Sequence, residues 1–589
     1  MKQATALLLA VCLATICATL LPVAMGKGLT PALVWFSFAA GIGGAAAYWF
    51  TSGPAGGKLK MGWGEWLASG LFALFALRAF CWLIFNVDNS VMVLSPNNLG
   101  DMSLHLTFIR YLAKGARFWP ENPIFSGIPL HYPAGIDIFN AMLKIAGCND
   151  DRALIWVGLI GCALTCYGLL RWGRWFAVMG FLCNGGFAGW RFFHHFSLHF
   201  QDYQDTEAWK SIPLSMLVTQ RGLLYAFPAG LLLLATWRAQ WFRAEEEAEP
   251  AIRMPQWVQA ALYSTMPLFH LHTFMFLSAM LAWWLATGRE GTRLRYEVMD
   301  LLLWAVLPAT VCVSLVTGLF QHGQSAIHVI HIHPGWMQDD HGFFKFWLLN
   351  LGILPFLAIA LLGWTVWRKR WDDFSFVFPS IFVFCLCCIV MFAPWEWDNM
   401  KLLVWGYLGI LPFLYGMLQD IPAPPGLAVR PAVYILLFLS GFVSLIGGID
   451  RTHTGYEIAK RSELEGVEFA TRYLPPDATF AGWPTYNHPL LLNGCKMVEG
   501  YDGHLMSYGI DYKERNRELT AMMDGADNWR DIARDLNVRY LFWGPMEIQG
   551  YPDSTQPWKS FPVVAAGDWG TIYDLGQTTA KPLELTHRL

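Results

Sequence analysis

The chain has 589 residues, of which 55% are hydrophobic, 15% aromatic and only 14% charged, a balance that excludes an ordinary soluble enzyme. Its 30 tryptophans and 54 glycines fit a bilayer protein, where interfacial Trp and helical Gly are frequent. The net charge of −3 comes without a basic domain or a nucleic-acid motif, so nothing points to nucleic acid as a partner.

Residues 4–24 are apolar behind Lys2, and a second apolar run, 31–50, follows at once. The first therefore reads as a signal-anchor helix rather than a cleaved signal. Lys58 and Lys60 mark a cytoplasmic loop by the positive-inside rule, and residues 63–86 cross back. Residues 87–150 then form a large outer loop. Within it a helix is predicted from about Asp101, with Asp101, His105, Phe108 and Leu112 within about 40° of one line. Arg110, Lys114 and Arg117 fall on the opposite face, free to meet phosphate if the helix lies flat on the membrane. Asp101, after Gly100, also fits a simple helix N-cap. Pro120, Pro123, Pro129 and Pro133 fix the return path, and 134–147 reads as a second interfacial or re-entrant helix.

Residues 151–170 run inward to Arg171 and Arg174, and 174–190 run outward to a second outer loop, 191–212. Residues 213–237 return to Arg238, Arg243 and the mixed stretch Glu245–Arg253. The run 256–287 is too long for one span, and Pro267, His270 and His272 divide it into two short helices. Arg289, Arg293 and Arg295 follow; 299–320 go out to a third outer loop, 321–345, and 346–367 return to Arg368-Lys369-Arg370. Runs 376–394, 401–418 and 431–449 complete about thirteen crossings, the N-terminus inside and the C-terminus outside. The predicted architecture is a polytopic α-helical membrane domain, 1–450, followed by an extracytoplasmic soluble α/β domain, 451–589. In the latter, 455–473, 508–523 and 527–536 read as helices, and Val538–Trp543 and Trp569–Leu575 as strands.

The polar residues concentrate in the outer loops. The second carries His194, His195, His199, Asp202, Asp205, Glu207 and Lys210, and the third His322, His328, His331, His333, Asp339, Asp340, His341 and Lys345. A short turn holds Glu396, Asp398, Asn399 and Lys401. Ionisable groups at membrane depth are costly and mark function, which singles out Asp101, His270, His272, Asp398 and Lys401. The bland readings are a polar helix break at His270 and His272 and a local ion pair between Asp398 and Lys401. His331-x-His333 near Asp339-Asp340-His341 is a weak candidate for a divalent metal, and no cofactor is otherwise indicated. Nucleophile, Walker and dinucleotide motifs are missing, which argues against ATP-driven transport by this chain.

Three strings carry a family resemblance: Gly100-Asp101-Met-Ser-Leu-His105 running on to Tyr132-Pro133, Pro267-Leu-Phe-His270-Leu-His272, and Trp397-Asp398-Asn399-Met-Lys401. With many spans before an outer C-terminal domain, the chain resembles the GT-C membrane glycosyltransferases, the group of the protein mannosyltransferases and the aminoarabinose transferases of lipid A. It has one acid at the motif position where many relatives have a pair, and no DxD in the first loop. The resemblance implies an inverting glycosyltransferase of the plasma (inner) membrane. Its donor would be a polyprenyl-phosphate sugar and its acceptor a glycan, lipid or protein. Asp101 would be the general base, oriented by His105. Arg110, Lys114, Arg191, Arg221, His270, His272, Lys345, Asp398 and Lys401 are the candidates for holding substrate, the cations for its phosphate. The alternatives are a transporter or flippase of a lipid-linked saccharide, and a haem- or metal-handling membrane protein. The first expects an inverted repeat, the second Trp clusters and His pairs on opposing helices.

Overall fold

A computed structural model describes residues 1–53, 59–194, 200–242, 254–288, 292–319, 330–338, 342–450 and 455–576. Helices α1 (Lys2–Met25) and α2 (Pro31–Thr51) form an antiparallel hairpin. Lys2 Nζ donates to the Ser52 carbonyl at 2.7 Å, and Gly41 lies against the backbone of Ala10, where a Cβ would collide. Helix α3 (Trp63–Phe80) leads into strands β1 (Phe85–Val87) and β2 (Ser90–Val93), then α4 (Leu99–Ala113) and α5 (Gly135–Ile145).

Helix α6 (Asp150–Leu182) breaks at Gly173 and Arg174. Before the break Gly158 lies against Phe80 and Cys166 against Ser69, so this arm is antiparallel to α3. After it Trp175 packs on Gly64 and Phe181 on Phe72, so the second arm runs parallel to α3. The two arms reverse at the arginines, as the charge pattern required, and Arg174 pairs with Glu65 at 2.8 Å.

Helix α7 (Leu223–Trp241) is followed by α8 (Gln256–Ser264), α9 (Met266–Phe269), α10 (Leu271–Thr287) and α11 (Arg293–Thr317). Helices α12 (Phe343–Leu351) and α13 (Leu354–Trp367) meet at 82°, so the stretch 346–367 is not the single straight span expected. The break falls at Gly352, whose φ of 57° favours glycine and whose backbone meets Gly186. Helices α14 (Trp371–Cys387), α15 (Met400–Gln419) and α16 (Pro425–Gly448) complete the bundle, and β3 (His331–Ile332) pairs with β4 (Val390–Met391) beside it. Among the described residues six helices are long and apolar enough to cross a bilayer, or seven counting the bent pair. This count does not confirm the expected thirteen crossings; it takes α6, with its two arms, as one helix and leaves out the shorter apolar helices.

The C-terminal part begins with β5 (Tyr456–Lys460), where a helix from residue 455 had been expected. This stretch pairs antiparallel with β2, a partner more than 360 positions earlier that local sequence cannot announce. Helix α17 (Arg461–Thr471) follows. A five-stranded sheet of order β7-β6-β8-β10-β9 is built from β6 (Thr479–Ala481), β7 (Lys496–Met497), β8 (Val538–Trp543), β9 (Val563–Gly567) and β10 (Gly570–Asp574). Between its strands lie α18 (Pro489–Leu492), α19 (Asp502–Ser507), α20 (Lys513–Asp524), α21 (Trp529–Asp535) and α22 (Pro545–Gly550). One hydrophobic core joins this part to the bundle, with Leu490, Met497 and Leu505 in the same cluster as Met102, Ile109 and Phe118.

That continuity corrects the reading of α4. Met102, Leu104, Leu106, Phe108, Ile109, Tyr111 and Leu112 are all buried, on every side of the helix. A helix apolar all round belongs inside a protein, not flat on a membrane. Its expected free cationic face is covered by the C-terminal part.

Candidate functional site

Asp101 is the third residue of α4, behind an Asn98 cap whose side chain makes no capping bond. The N-cap reading of Asp101 is therefore corrected. Its carboxyl is half-buried and has no hydrogen-bond partner among the described residues. Burial pushes it up to about 6, against the opposing pull of the His105 and Lys401 charges, while Asp398 adds to the rise. A carboxyl that is strongly desolvated yet still accessible faces an enclosed space.

His105, one turn along, is turned away from Asp101. Its Nδ1 bonds both carboxylate oxygens of Asp137, at 2.9 and 3.1 Å, and its Nε2 lies 3.2 Å from the Thr219 carbonyl. Both partners are acceptors, so both ring nitrogens donate and the ring is an imidazolium paired with Asp137. Orientation of Asp101 by a hydrogen bond from His105 is thus corrected to a fixed positive charge beside it. His105 and Asp137 are both buried in the protein interior.

The turn before α15 supplies the next pair. Asn399 donates to the carbonyls of Cys387 and Val390, at 2.9 and 2.7 Å, and fixes this turn on the end of α14. Lys401 then pairs with Asp398 at 3.0 Å, and its charge acts on Asp101, His270 and His272 alike. The extended backbone at His270 separates α9 from α10, as the helix division predicted. Its Nδ1 accepts from the Thr273 amide at 3.2 Å, which puts the ring proton on Nε2, and that atom is buried without a partner. His272 stands 5.6 Å away, ring to ring.

A second set of groups comes from further along the chain. The Tyr132 and Tyr508 rings lie 5.7 Å apart, and the phenols of both sense Asp101, Asp137 and Asp398. His504 of α19 covers Gly100, where a Cβ would stand 2.9 Å from its Nε2. Tyr456 of β5 senses Asp101, and its hydroxyl is buried without a partner. The charge of Lys401 thus links Asp101, Asp398, His270 and His272, His105 acts on Asp101 from the protein interior, and the contacts of these groups add Tyr132, Asp137, Tyr456, His504 and Tyr508. Sequence reasoning left these last five without a role. Asp137, an acid between two isoleucines in an apolar helix, was the one with a legible signal.

The other phosphate candidates lie elsewhere. Arg110 pairs with Asp150 at 2.8 Å and donates to the Leu492 carbonyl, and Lys114 donates to Thr471 and Cys495. Both fasten the C-terminal part and are not free for substrate. Arg191 pairs with Glu207 at 2.6 Å. Arg221 is fully buried, donates to the Leu154 carbonyl and leaves two guanidinium nitrogens unpartnered beside Asp137. Lys345 is exposed on α12, next to an apolar cavity of about 550 Å³ lined by Phe343, Trp347, Leu354, Phe384, Cys388 and Ile410. His195, His199, His322, His328, Asp339, Asp340 and His341 lie outside the described residues. His333 pairs with Glu396 at 3.0 Å, and no group of three or more metal-ligating side chains occurs among the described residues.

No family model matches the chain, and no curated protein matches it. Among solved structures it is similar to the apo form of the Archaeoglobus fulgidus oligosaccharyltransferase. The identity is 12%, the match covers 82% of this chain and 69% of that one, and the TM-score is 0.48.

Proposed function

We propose that the chain is an inverting glycosyltransferase that moves a sugar from a polyprenyl-phosphate donor to an acceptor hydroxyl on the outer face of the membrane. The observation that carries this reading is the carboxyl of Asp101. It is enclosed, unbonded and raised to about 6, close to the ideal for a general base at neutral pH. Asp101 takes the acceptor proton as the acceptor oxygen attacks the anomeric carbon. The bond from that carbon to the phosphate oxygen breaks, and the lipid phosphate leaves with its electron pair. Lys401, with the unpartnered Nε2–H of His270 and the ring of His272 nearby, receives its charge. The apolar cavity between α12, α13, α14 and α15 suits a polyprenyl chain. It is lined by Gly406 and Tyr407, about 8 Å along α15 from Lys401.

Asp101→Asn tests the reading. The amide keeps the shape, and no capping bond is lost. Sugar transfer, or a surface-glycan phenotype standing for it, is expected to fall by about 10²–10⁴-fold with folding intact. Wild-type transfer in this variant overturns the assignment. Lys401→Ala is expected to weaken donor binding rather than proton transfer.

A further inference from the structure

The roof over Asp101 is not part of the membrane bundle. It is α19 of the C-terminal part, held down by Leu505, which is fully buried in the common core. His504 and Tyr508 are four positions apart and share a face. His504 lies on Gly100, and Tyr508 on Tyr132. None of the side-chain polar atoms of Tyr132, His504 and Tyr508 has a hydrogen-bond partner among the described residues, although all three side chains are only half-exposed. Tyr456 adds a buried hydroxyl with no partner. The polar atoms of Tyr132, His504 and Tyr508 are accessible and that of Tyr456 is buried, so four groups near one carboxyl are left open to bond the hydroxyls of a ligand.

The charges say what that ligand is. The two phenols sense three carboxylates, Asp101, Asp137 and Asp398. The cations His105 and Lys401 are each paired, with Asp137 and with Asp398. With Arg221 beside Asp137, three carboxylates face three cations, so no net positive charge is left at the tyrosines for a phosphate or a uronic acid. A neutral ring needs none, and its C–H face can lie on a phenol ring while its hydroxyls bond His504 and the phenols. Burial holds the His504 ring down to about 4, so it is neutral near pH 7 and offers one donor and one acceptor. Tyr132 meets Tyr508 at 54° and Phe108 at 50°, so neither ring pair is stacked face to face.

We infer that α19 closes a neutral-saccharide subsite over Asp101, with Tyr508 and Tyr132 as ring platforms and His504 and Tyr456 as hydroxyl partners. The identification of the ligand as a sugar rests on the proposed transferase; the neutral, hydroxyl-rich chemistry rests on the site itself. The C-terminal part supplies half of the binding site, so bundle residues alone do not make it.

The test is saturation-transfer NMR on the purified full-length chain in detergent, with methyl glucoside, methyl mannoside and methyl galactoside as probes, and glucuronate and inorganic phosphate as charged comparisons. At least one neutral glycoside is expected to receive saturation on its ring protons, and glucuronate none. Tyr508→Ala is expected to reduce the effect at least about five-fold, Tyr508→Phe far less because the ring face remains, and His504→Gln to an intermediate degree. Tyr473→Ala, at a residue 87% exposed, serves as the unchanged control. Thermal melts show which variants are folded, and Tyr508→Phe supports the comparison if Tyr508→Ala is not. No saturation of any neutral glycoside by folded wild-type protein overturns the inference, as does equal saturation in folded Tyr508→Ala, or a stronger effect on glucuronate. Because the readout is binding, it is separate from Asp101→Asn: loss of saturation in Tyr508→Ala with full transfer in Asp101→Asn keeps the subsite and removes the base.

Discussion

At Asp101 the geometry makes a prediction about pH. The carboxyl acts as a base only when ionised, and burial raises it to about 6. The transfer rate is therefore expected to rise with pH through about 6 and to level off above it, a limb readable in the pH profile of kcat/KM. His105 and Lys401 hold this value down, and each depends on a partner. His105→Gln removes one of the two cations that act on Asp101 while keeping a donor for Asp137, so Asp101 is held less tightly in its ionised form and the rising limb should move to higher pH. The same change leaves Asp137 buried without its charged partner, at a cost of about 3–5 kcal/mol. A profile that keeps its midpoint in a folded His105→Gln protein would remove His105 from the electrostatics of the base. Glu499 behaves in the opposite sense, through stability. It is fully buried, and burial raises it to about 7, with Asn516 and Arg515 opposing and Asp502 adding. A raised folded value means that the native state binds more protons than the unfolded chain between the ordinary carboxyl value and about 7, so stability falls as pH rises through that window. Glu499→Gln is expected to raise stability at pH 8 by about 1–3 kcal/mol and to change it little at pH 4, as read by melts at the two pH values.

The elements that build the site come from distant segments, and this decides how much of it was legible. The break before α10, the turn with Asp398 and Lys401, and the reversal at Arg174 each rest on local signals: an extended residue among polar neighbours, an acid and a base three apart, a charge at a span end. The environment of α4 rests on none. Arg110 and Lys114 look like a solvated stripe in sequence, and only Leu492, Asn493, Thr471 and Cys495, more than 350 positions later, turn them into anchors. Strand β5 escaped for the same reason, since its partner is β2. The first loop and the C-terminal part are further joined by Lys496 to Glu121 at 2.7 Å, by Arg515 to the Ser126 carbonyl, and by the Met497 and Gly500 amides to Pro123 and Ile124. Arg110→Ala breaks several of these ties at once and leaves Asp150 with Lys144 alone. The expected outcome is faster proteolysis and hydrogen exchange in 485–510 together with α4, with donor binding reduced only as far as α19 lifts from Asp101. Loss of donor binding with unchanged exchange would return Arg110 to the phosphate.

Over the whole molecule the charges separate towards two ends. Helix α15 is about 30 Å long, with Lys401 at its start and Asp420 just past its finish. At the finish Asp420 meets Arg368 and Arg370, Arg370 reaches Asp373 at 2.7 Å, and Asp373 meets Arg238 at 3.4 Å. Arg238 lies over the ring of Trp172, next to the reversal in α6, and Arg171 of the same turn acts on the amino terminus. The basic turns at Arg171, Arg238 and Arg368–Arg370 thus lie together, at the end of α15 away from Lys401. Positive charge stays on the cytoplasmic side during insertion, which predicts that the space at Asp101 and the C-terminal part lie outside. Cys148, exposed at the end of the first loop, is a natural reporter for that side. A membrane-impermeant maleimide added to intact cells is expected to label Cys148, to lose that label in Cys148→Ser, and to regain it in Cys148→Ser with Arg517→Cys, an exposed position of α20. Cys148→Ser with Lys369→Cys, exposed at the basic end, should label only after the cells are opened. Labelling of Lys369→Cys from outside, or protection of both Cys148 and Arg517→Cys, would invert the orientation. The donor, the base and the saccharide roof would then all face the cytoplasm.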